Sequence, residues 1–291
     1  MPSFSISGQI VDVVAGRIFS GTVEVSDGRI ASVRHDSNSP TNRFILPGFV
    51  DAHVHVESSM MVPSEFARFA VVHGTVGTVS DPHEIANVLG TEGIELMVEN
   101  GKRVPFKFHF GAPACVPATA SETAGATLDA TAIRKLFLKP GLKYLAEVMN
   151  FPGILGGDPD LLAKLAAAKE LGLPIDGHAP GLRGEPAHRY AAAGPSTDHE
   201  CTTLAEAEDK IAAGMSILIR EGSAAKNFAA LHPLLKSHPD KVMFCSDDLH
   251  PDALLHGHIN RLAARAVAEG HDRMAVIRAA TLNPVKHYGL S

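Results

Sequence analysis

The sequence predicts an α/β protein: a TIM-like (β/α)8 barrel with a small β-unit ahead of it. Three observations carry that expectation. From Phe44 onward an apolar run followed by an amphipathic stretch recurs eight times. No GxGxxG or phosphate-binding loop favours the doubly wound sheet that shares this rhythm. Residue types able to bind metal recur where the apolar runs end. In such a barrel the carboxyl ends of the strands form one rim, and active sites lie there.

Residues 1–45 have a different texture. Segments 8–14, 21–25 and 29–33 alternate in character and are parted by turn residues such as Asp27-Gly28. They predict a small antiparallel unit, an incomplete β-sandwich, with a polar linker at 37–42. Barrel strands are expected at 45–56, 75–80, 105–110, 142–149, 173–177, 195–199, 215–219 and 241–246. Helical stretches fall between them, among them 63–72, 158–171, 204–213 and 253–268. Pro159 just inside one helix and Gly172 just past its end are fitting punctuation. The division expected is 1–45 for the β-unit and 46–291 for the barrel.

With 291 residues, 45% of them hydrophobic, the chain is long enough to bury a large core. A net charge of −6 and the lack of any Lys/Arg-rich run argue against a nucleic-acid partner. No apolar run has the length to span a bilayer. The amino terminus has neither a basic start nor a signal-length apolar stretch, so a cytoplasmic address is expected. Cys115, Cys201 and Cys245 form no CxxC pair and suit buried thiols in a reducing compartment. Cys245, in Val242-Met243-Phe244-Cys245, reads as core. The unusual feature is histidine: 16 residues exceed what a surface role explains.

His53 and His55 lie two apart at the end of the first barrel strand, where the period of two points both rings the same way. For HxH alone, one ring capping the barrel and the other solvated is an equal reading. Glu147 ends the apolar run Tyr144-Leu145-Ala146, and a carboxylate there is costly unless paired or bound to metal. His178, His199 and Asp247 each follow an apolar strand, and each alone reads more simply as structural. Jointly, five strand ends present ligands to one rim. Four histidines and two carboxylates suffice for two divalent ions with one carboxylate shared; such a donor set suits Zn, Fe or Mn. Water between two cations is nucleophilic near neutral pH. Asp247 is placed to take its proton and hand it to a leaving group. Hydrolysis at an electron-poor carbon is the chemistry expected.

At these residues the sequence resembles the amidohydrolase superfamily and, within it, the adenine deaminase family. The matching stretches include Leu46-Pro47-Gly48-Phe49-Val50-Asp51-Ala52-His53-Val54-His55, His55-Val56-Glu57-Ser58-Ser59-Met60 and Asp81-Pro82-His83-Glu84-Ile85-Ala86-Asn87. Ala146-Glu147-Val148-Met149-Asn150-Phe151-Pro152-Gly153, Gly177-His178-Ala179-Pro180-Gly181, Ile219-Arg220-Glu221-Gly222-Ser223-Ala224 and Ser246-Asp247-Asp248-Leu249 match as well. The resemblance implies a metal-dependent amidohydrolase-type barrel in which hydroxide on the metal attacks C6 of adenine, giving hypoxanthine and ammonia in purine salvage. It implies that His53, His55 and Asp247 hold one metal, that His178 and His199 hold the other, and that Glu147 bridges them. Asp247 then shuttles the proton, and a second acid or histidine protonates a ring nitrogen.

Glu57, Ser58, Ser59, Asp81, His83, Glu84, Arg220, Glu221 and Asp248 flank strand ends and are candidates to line the substrate pocket. Each also reads as a helix cap, a loop hydrogen bond or an exposed charge; Asp81 and Pro82 in particular suit a helix start. Asp248 suits a support for Asp247. Members of the resembled family continue past Asn283-Pro284 with strands that complete the small β-unit. A homodimer or a partner polypeptide is therefore expected to cover its edge. Two other functions fit the same residues: hydrolysis of another amino-heterocycle or cyclic amide, and a metal-binding but inactive scaffold or subunit.

Overall fold

Alternating residues near the amino terminus form a mixed sheet of β1 (Phe4–Asp12), β2 (Arg17–Ser26), β3 (Arg29–His35) and β4 (Phe44–Ile45), in the order β3-β2-β1-β4. Asp27 and Gly28 turn β2 into β3 with φ of 53° and 74°. Positive φ at both central residues is what a tight hairpin turn requires. β4 pairs with β1 in parallel, Gln9 against Phe44. The computed structural model describes residues 3–119 and 121–290, and the chain divides into two compact units, Met1–Gly48 and Phe49–Ser291.

The second unit is the barrel. Its strands are β5 (Phe49–Val54), β6 (Thr75–Ser80), β7 (Lys107–Ala112), β8 (Leu142–Val148), β9 (Ile175–Gly177), β10 (Thr197–Asp198), β11 (Ser216–Arg220) and β12 (Val242–Cys245). They pair in parallel as two arcs, β5 to β9 and β10 to β12. Backbone hydrogen bonds join the arcs at both seams: the Ser196 N–H donates to Ile175 O, and the Asp247 N–H to His53 O, each at 2.9 Å. Eight strands thus close into the expected barrel.

Period-two alternation sorts the side chains. Leu218 packs inward with Tyr144, Met243, Cys245 and Tyr288, while Ile217 and Ile219 pack outward against helical Leu262 and Val276. Cys245 is core, as its strand suggested. The helix Pro159–Glu170 starts where Pro159 indicated: the Asp158 carboxylate accepts from the Leu161 N–H at 2.9 Å.

Three expectations are corrected. The first barrel strand runs Phe49–Val54 rather than 45–56, because Phe44–Ile45 serve the small sheet and Val56–Ser59 wind into a 3-10 turn. The strand expected at 105–110 is shifted two residues, to Lys107–Ala112. The helix expected over 253–268 is two helices, Pro251–His256 and Ile259–Ala268. It breaks where His258 turns inward, its Nε2 at 2.8 Å from Asp51 Oδ2 and its Nδ1 at 2.8 Å from Thr75 Oγ1. Among the described residues no helix is long and apolar enough to cross a membrane.

His109 on β7 titrates with a pKa of about 4, lowered first by burial and then by the charges of Lys143 and Lys107. In the unfolded chain its pKa returns to about 6.5. Between those values the unfolded state binds the extra proton, so folding stability falls as pH drops through that window. His109→Gln is expected to narrow the difference in urea midpoint between pH 7 and pH 5; an unchanged difference would remove His109 as its source.

Candidate metal centre

Strand geometry delivers the site. His53 lies on β5 with His55 one residue beyond it, Glu147 lies on β8, and His178 and His199 directly follow β9 and β10. Arg220 ends β11, and Asp247 stands two residues past β12. All six residues expected to bind metal thus lie at the carboxyl rim, and their polar atoms converge.

Glu147 is at the centre, 2% exposed. Its Oε2 lies 2.7 Å from His178 Nδ1 and 3.2 Å from His199 Nε2. Its Oε1 lies 3.3 Å from both His55 Nε2 and His83 Nδ1. Asp247 Oδ1 is 3.3 Å from His55 Nε2 and 3.7 Å from His53 Nε2. The two nitrogens of the HxH pair are 3.2 Å apart, and the rings of His53 and His199 stack at 4.2 Å. Arg220 grips Asp247 Oδ2 and holds Glu200 through two bonds, at 2.6 and 2.9 Å. Asp247 takes a left-handed backbone, φ 56°, which a non-glycine residue adopts only when its surroundings hold it there.

Charge in this cluster is lopsided. Burial alone would push Glu147 up, yet hydrogen bonds from His178 and His199 hold its carboxyl well below the usual range. Burial also raises Asp247, but the bond from His55 and the charges of His199 and His53 bring it below its ordinary value. Burial lowers His55, but the bond to Asp247 together with the charges of Glu147 and Asp81 drives the imidazole up to about 10.

The tautomers show whether a cation fits. His55 Nδ1 faces the carbonyl oxygen of Asp81 at 3.1 Å, so it must carry hydrogen. Nε2 of a neutral His55 is then a lone pair aimed at the carboxylates of Glu147 and Asp247. That arrangement repels unless a proton or a metal ion lies between them. Buried imidazoles interleaved with carboxylates are the donor set a divalent transition ion takes. The residues fit the group.

The other expected residues divide. Asp81 and His83 join the cluster: Asp81 accepts from the His83 backbone N–H at 3.0 Å and faces its Nδ1 at 3.1 Å, and His55, Asp81, His83 and Glu147 form one potential ligand group. Asp81 is thus both a helix-start acceptor and part of the site. Asp248 takes a 2.6 Å bond from Ser58 and lies near His55 and Asp247. Glu57 accepts from the Ile85 N–H at 3.2 Å, and Glu84 is half exposed, 3.5 Å from His83 Nε2. Ser59 donates to Val56 O inside its own turn, and Glu221 pairs with Arg265 at 3.1 Å; neither belongs to a ligand group.

Sequence reading passed over Glu200, which lies 3.4 Å from His199 Nε2. Its signal was adjacency to His199. It also passed over the props. Asp51 accepts from the Ser246 N–H at 3.0 Å and the His53 N–H at 3.2 Å, and His258 and the Ser246 hydroxyl engage its other oxygen. Lys210, fully buried, lies 3.0 Å from Asp198 and 2.9 Å from Glu206. Its ammonium already occupies the acidic cluster of Asp198, Cys201 and Glu206.

Glu147→Ala is expected to abolish metal copurification measured by inductively coupled plasma mass spectrometry, while Ser59→Ala, outside the cluster, retains it. Equal metal content in both variants would take Glu147 out of the ligand set.

The model of the Amidohydrolase family matches residues 44–291. Proteins named adenine deaminase from Salinibacter ruber and Methanosarcina mazei are 58% and 54% identical, over 99% and 98% of this chain. The matches cover 53% and 51% of those proteins, so the chain spans about half the length of the curated relatives it matches. The solved N-acetyl-D-glucosamine-6-phosphate deacetylase of Mycobacterium smegmatis superposes with a TM-score of 0.70 at 15% identity, covering 99% of this chain and 90% of that one. The chain belongs to the amidohydrolase family.

Proposed function

We propose that this chain carries the catalytic barrel of an adenine deaminase, releasing ammonia from the 6-amino group and leaving hypoxanthine. In this reading His53, His55, Glu147, His178, His199 and Asp247 hold two divalent ions, of Mn, Fe or Zn. The observation that supports it most is Glu147, whose two carboxylate oxygens face different imidazoles and so suit a bridge between two cations. The name borne by the relatives is the reason for choosing adenine. Divalent ions in the site would lower the pKa of water and stabilise charge on oxygen.

The side chains account for the protons. Arg220 engages Asp247 Oδ2, so Oδ1, beside the HxH pair, is the oxygen open to a proton from the attacking water. His83 is the group for the ring nitrogen. Burial would lower it, but Asp81 holds it protonated well above the usual imidazole range. It also lines an open depression of about 500 Å³ with Glu84, Asn87 and Met149. His83 gives its proton to the ring; one proton of water passes through Asp247 to the departing ammonia, and the other restores His83. The count closes on adenine plus water giving hypoxanthine plus ammonia.

The reading includes a cytoplasmic address and a homodimer. Three free, buried cysteines suit a reducing compartment. Exposed Phe4, Ile18 and Phe44 on the small sheet are apolar surface that a second copy would cover.

Protein loaded with Mn²⁺ is expected to release ammonia from adenine, with His83→Gln and Asp247→Asn each lowering kcat by about 10²- to 10⁴-fold, His83→Gln with metal retained. Turnover of cytosine or a cyclic amide but not adenine would replace the substrate and keep the hydrolase. Metal binding without turnover of any of them would leave a scaffold.

A further inference from the structure

We infer that Asp176, outside the ligand set, is the positioning residue for His53, itself held by Thr197 and by Tyr288 from the last helix. The observation is a pair of buried atoms without partners. His53 Nδ1 and Asp176 Oδ2 each lack a hydrogen bond, and they face each other at 3.6 Å. Both side chains are sealed, 0% and 2% exposed. The other Asp176 oxygen is fully engaged: it accepts from the Tyr288 hydroxyl at 2.6 Å and from Thr197 Oγ1 at 2.7 Å. Tyr288, on the helix Leu282–Tyr288, stacks edge-on against Tyr144 in the barrel interior.

An unpaired buried donor or acceptor is costly, so two complementary ones left slightly apart are poised to close. With the Tyr288 and Thr197 hydroxyls both donating to Oδ1, Oδ2 is left as an acceptor facing His53, which places the His53 proton on Nδ1. Nε2 is then the lone-pair nitrogen, and it is the atom that faces His55 and Asp247. A carboxylate behind an imidazole fixes the tautomer, fixes the ring plane and makes the forward nitrogen a stronger donor to metal. Thr197 and Tyr288 saturate one Asp176 oxygen and leave the other to His53. A residue near the end of the chain is thereby coupled to the first histidine of the HxH pair through one carboxylate.

This inference rests on the reading of the cluster as a cation centre, and metal affinity tests the two apart. Mn²⁺ dissociation constants are measured by chelator competition on the wild-type protein and on Asp176→Asn, Tyr288→Phe and Tyr144→Phe. Asp176→Asn still accepts from Tyr288 and Thr197 but removes the charge behind His53; affinity is expected to fall about 10- to 100-fold. Tyr288→Phe keeps the ring and frees Asp176 on one side, and a several-fold loss is expected. Tyr144→Phe removes a buried hydroxyl that has no partner and leaves His53 untouched, so wild-type affinity is expected. Nitrogen NMR of the metal-free wild-type protein is expected to show His53 protonated at Nδ1. If Asp176→Asn fails to fold, Tyr288→Phe against Tyr144→Phe decides. Wild-type affinity in Asp176→Asn, equal losses in Tyr288→Phe and Tyr144→Phe, or His53 protonated at Nε2 alone would each overturn the inference. No Mn²⁺ binding by the wild type would overturn the cation centre itself.

Discussion

Glu147 is buried in the barrel mouth among His55, His83, His178 and His199, and the rest of the site is arranged around that one charge. A lone ionised carboxylate at this depth carries a penalty of several kcal/mol, and stripping partners from a buried pair costs about 3–5 kcal/mol. Only donors from several strands can surround it, because one strand offers at most two same-side residues at its end. Parallel strands in a closed barrel meet that need: each brings its carboxyl terminus to the same rim. The fold solves an electrostatic problem that the sequence creates.

The supports are themselves polar, and each joins two strands. Asp51 ties β5 to the end of β12 through the Ser246 N–H and is backed by His258 from the break between the two helices that follow. That tie lies next to Asp247 and accounts for its left-handed backbone being held. Asp198 does the same elsewhere, taking the Ala179 N–H at 2.8 Å while Lys210 neutralises it. Burial would raise Asp198, and the Lys210 ammonium holds it below the usual range. Arg220 touches the cluster from within, and its clamp on Glu200 and Asp247 fixes the direction of both. None of these props need be near its client in sequence.

That distance explains what could be read from the chain and what could not. Strand number, strand order and the six convergent ligand candidates were legible, because apolar runs and the strand period are local signals. Asp81 and His83 were half legible: Asp-Pro-His predicts a helix start, and the helix does begin at His83. Nothing local says that His83 reaches Glu147 across the barrel mouth, 64 positions away by numbering. The broken helix at Gly257-His258 was missed because amphipathic spacing continues through it; the inward turn of His258 toward Asp51 is a tertiary event. Ile45 pairs in the small sheet rather than in the expected barrel strand for a similar reason, since an apolar residue carries no record of which neighbour it bonds.

One pattern lay in plain view. Asp stands two residues before His at Asp51-Ala52-His53, Asp81-Pro82-His83, Asp176-Gly177-His178 and Asp248-Leu249-His250. On a flat strand such a pair would share a face, and the simple inference is that each acid serves its own histidine. Only Asp81 does so with its side chain. Asp51 takes the backbone N–H of His53, and Asp176 looks past His178 to the far side of the His53 ring. Register shifts in β5 between Asp51 and Val54, and between β8 and β9, rotate these short strand ends out of flat alternation. The acid-histidine spacing therefore marks strand ends that bear ligands, while the twist of the barrel decides which acid supports which ring.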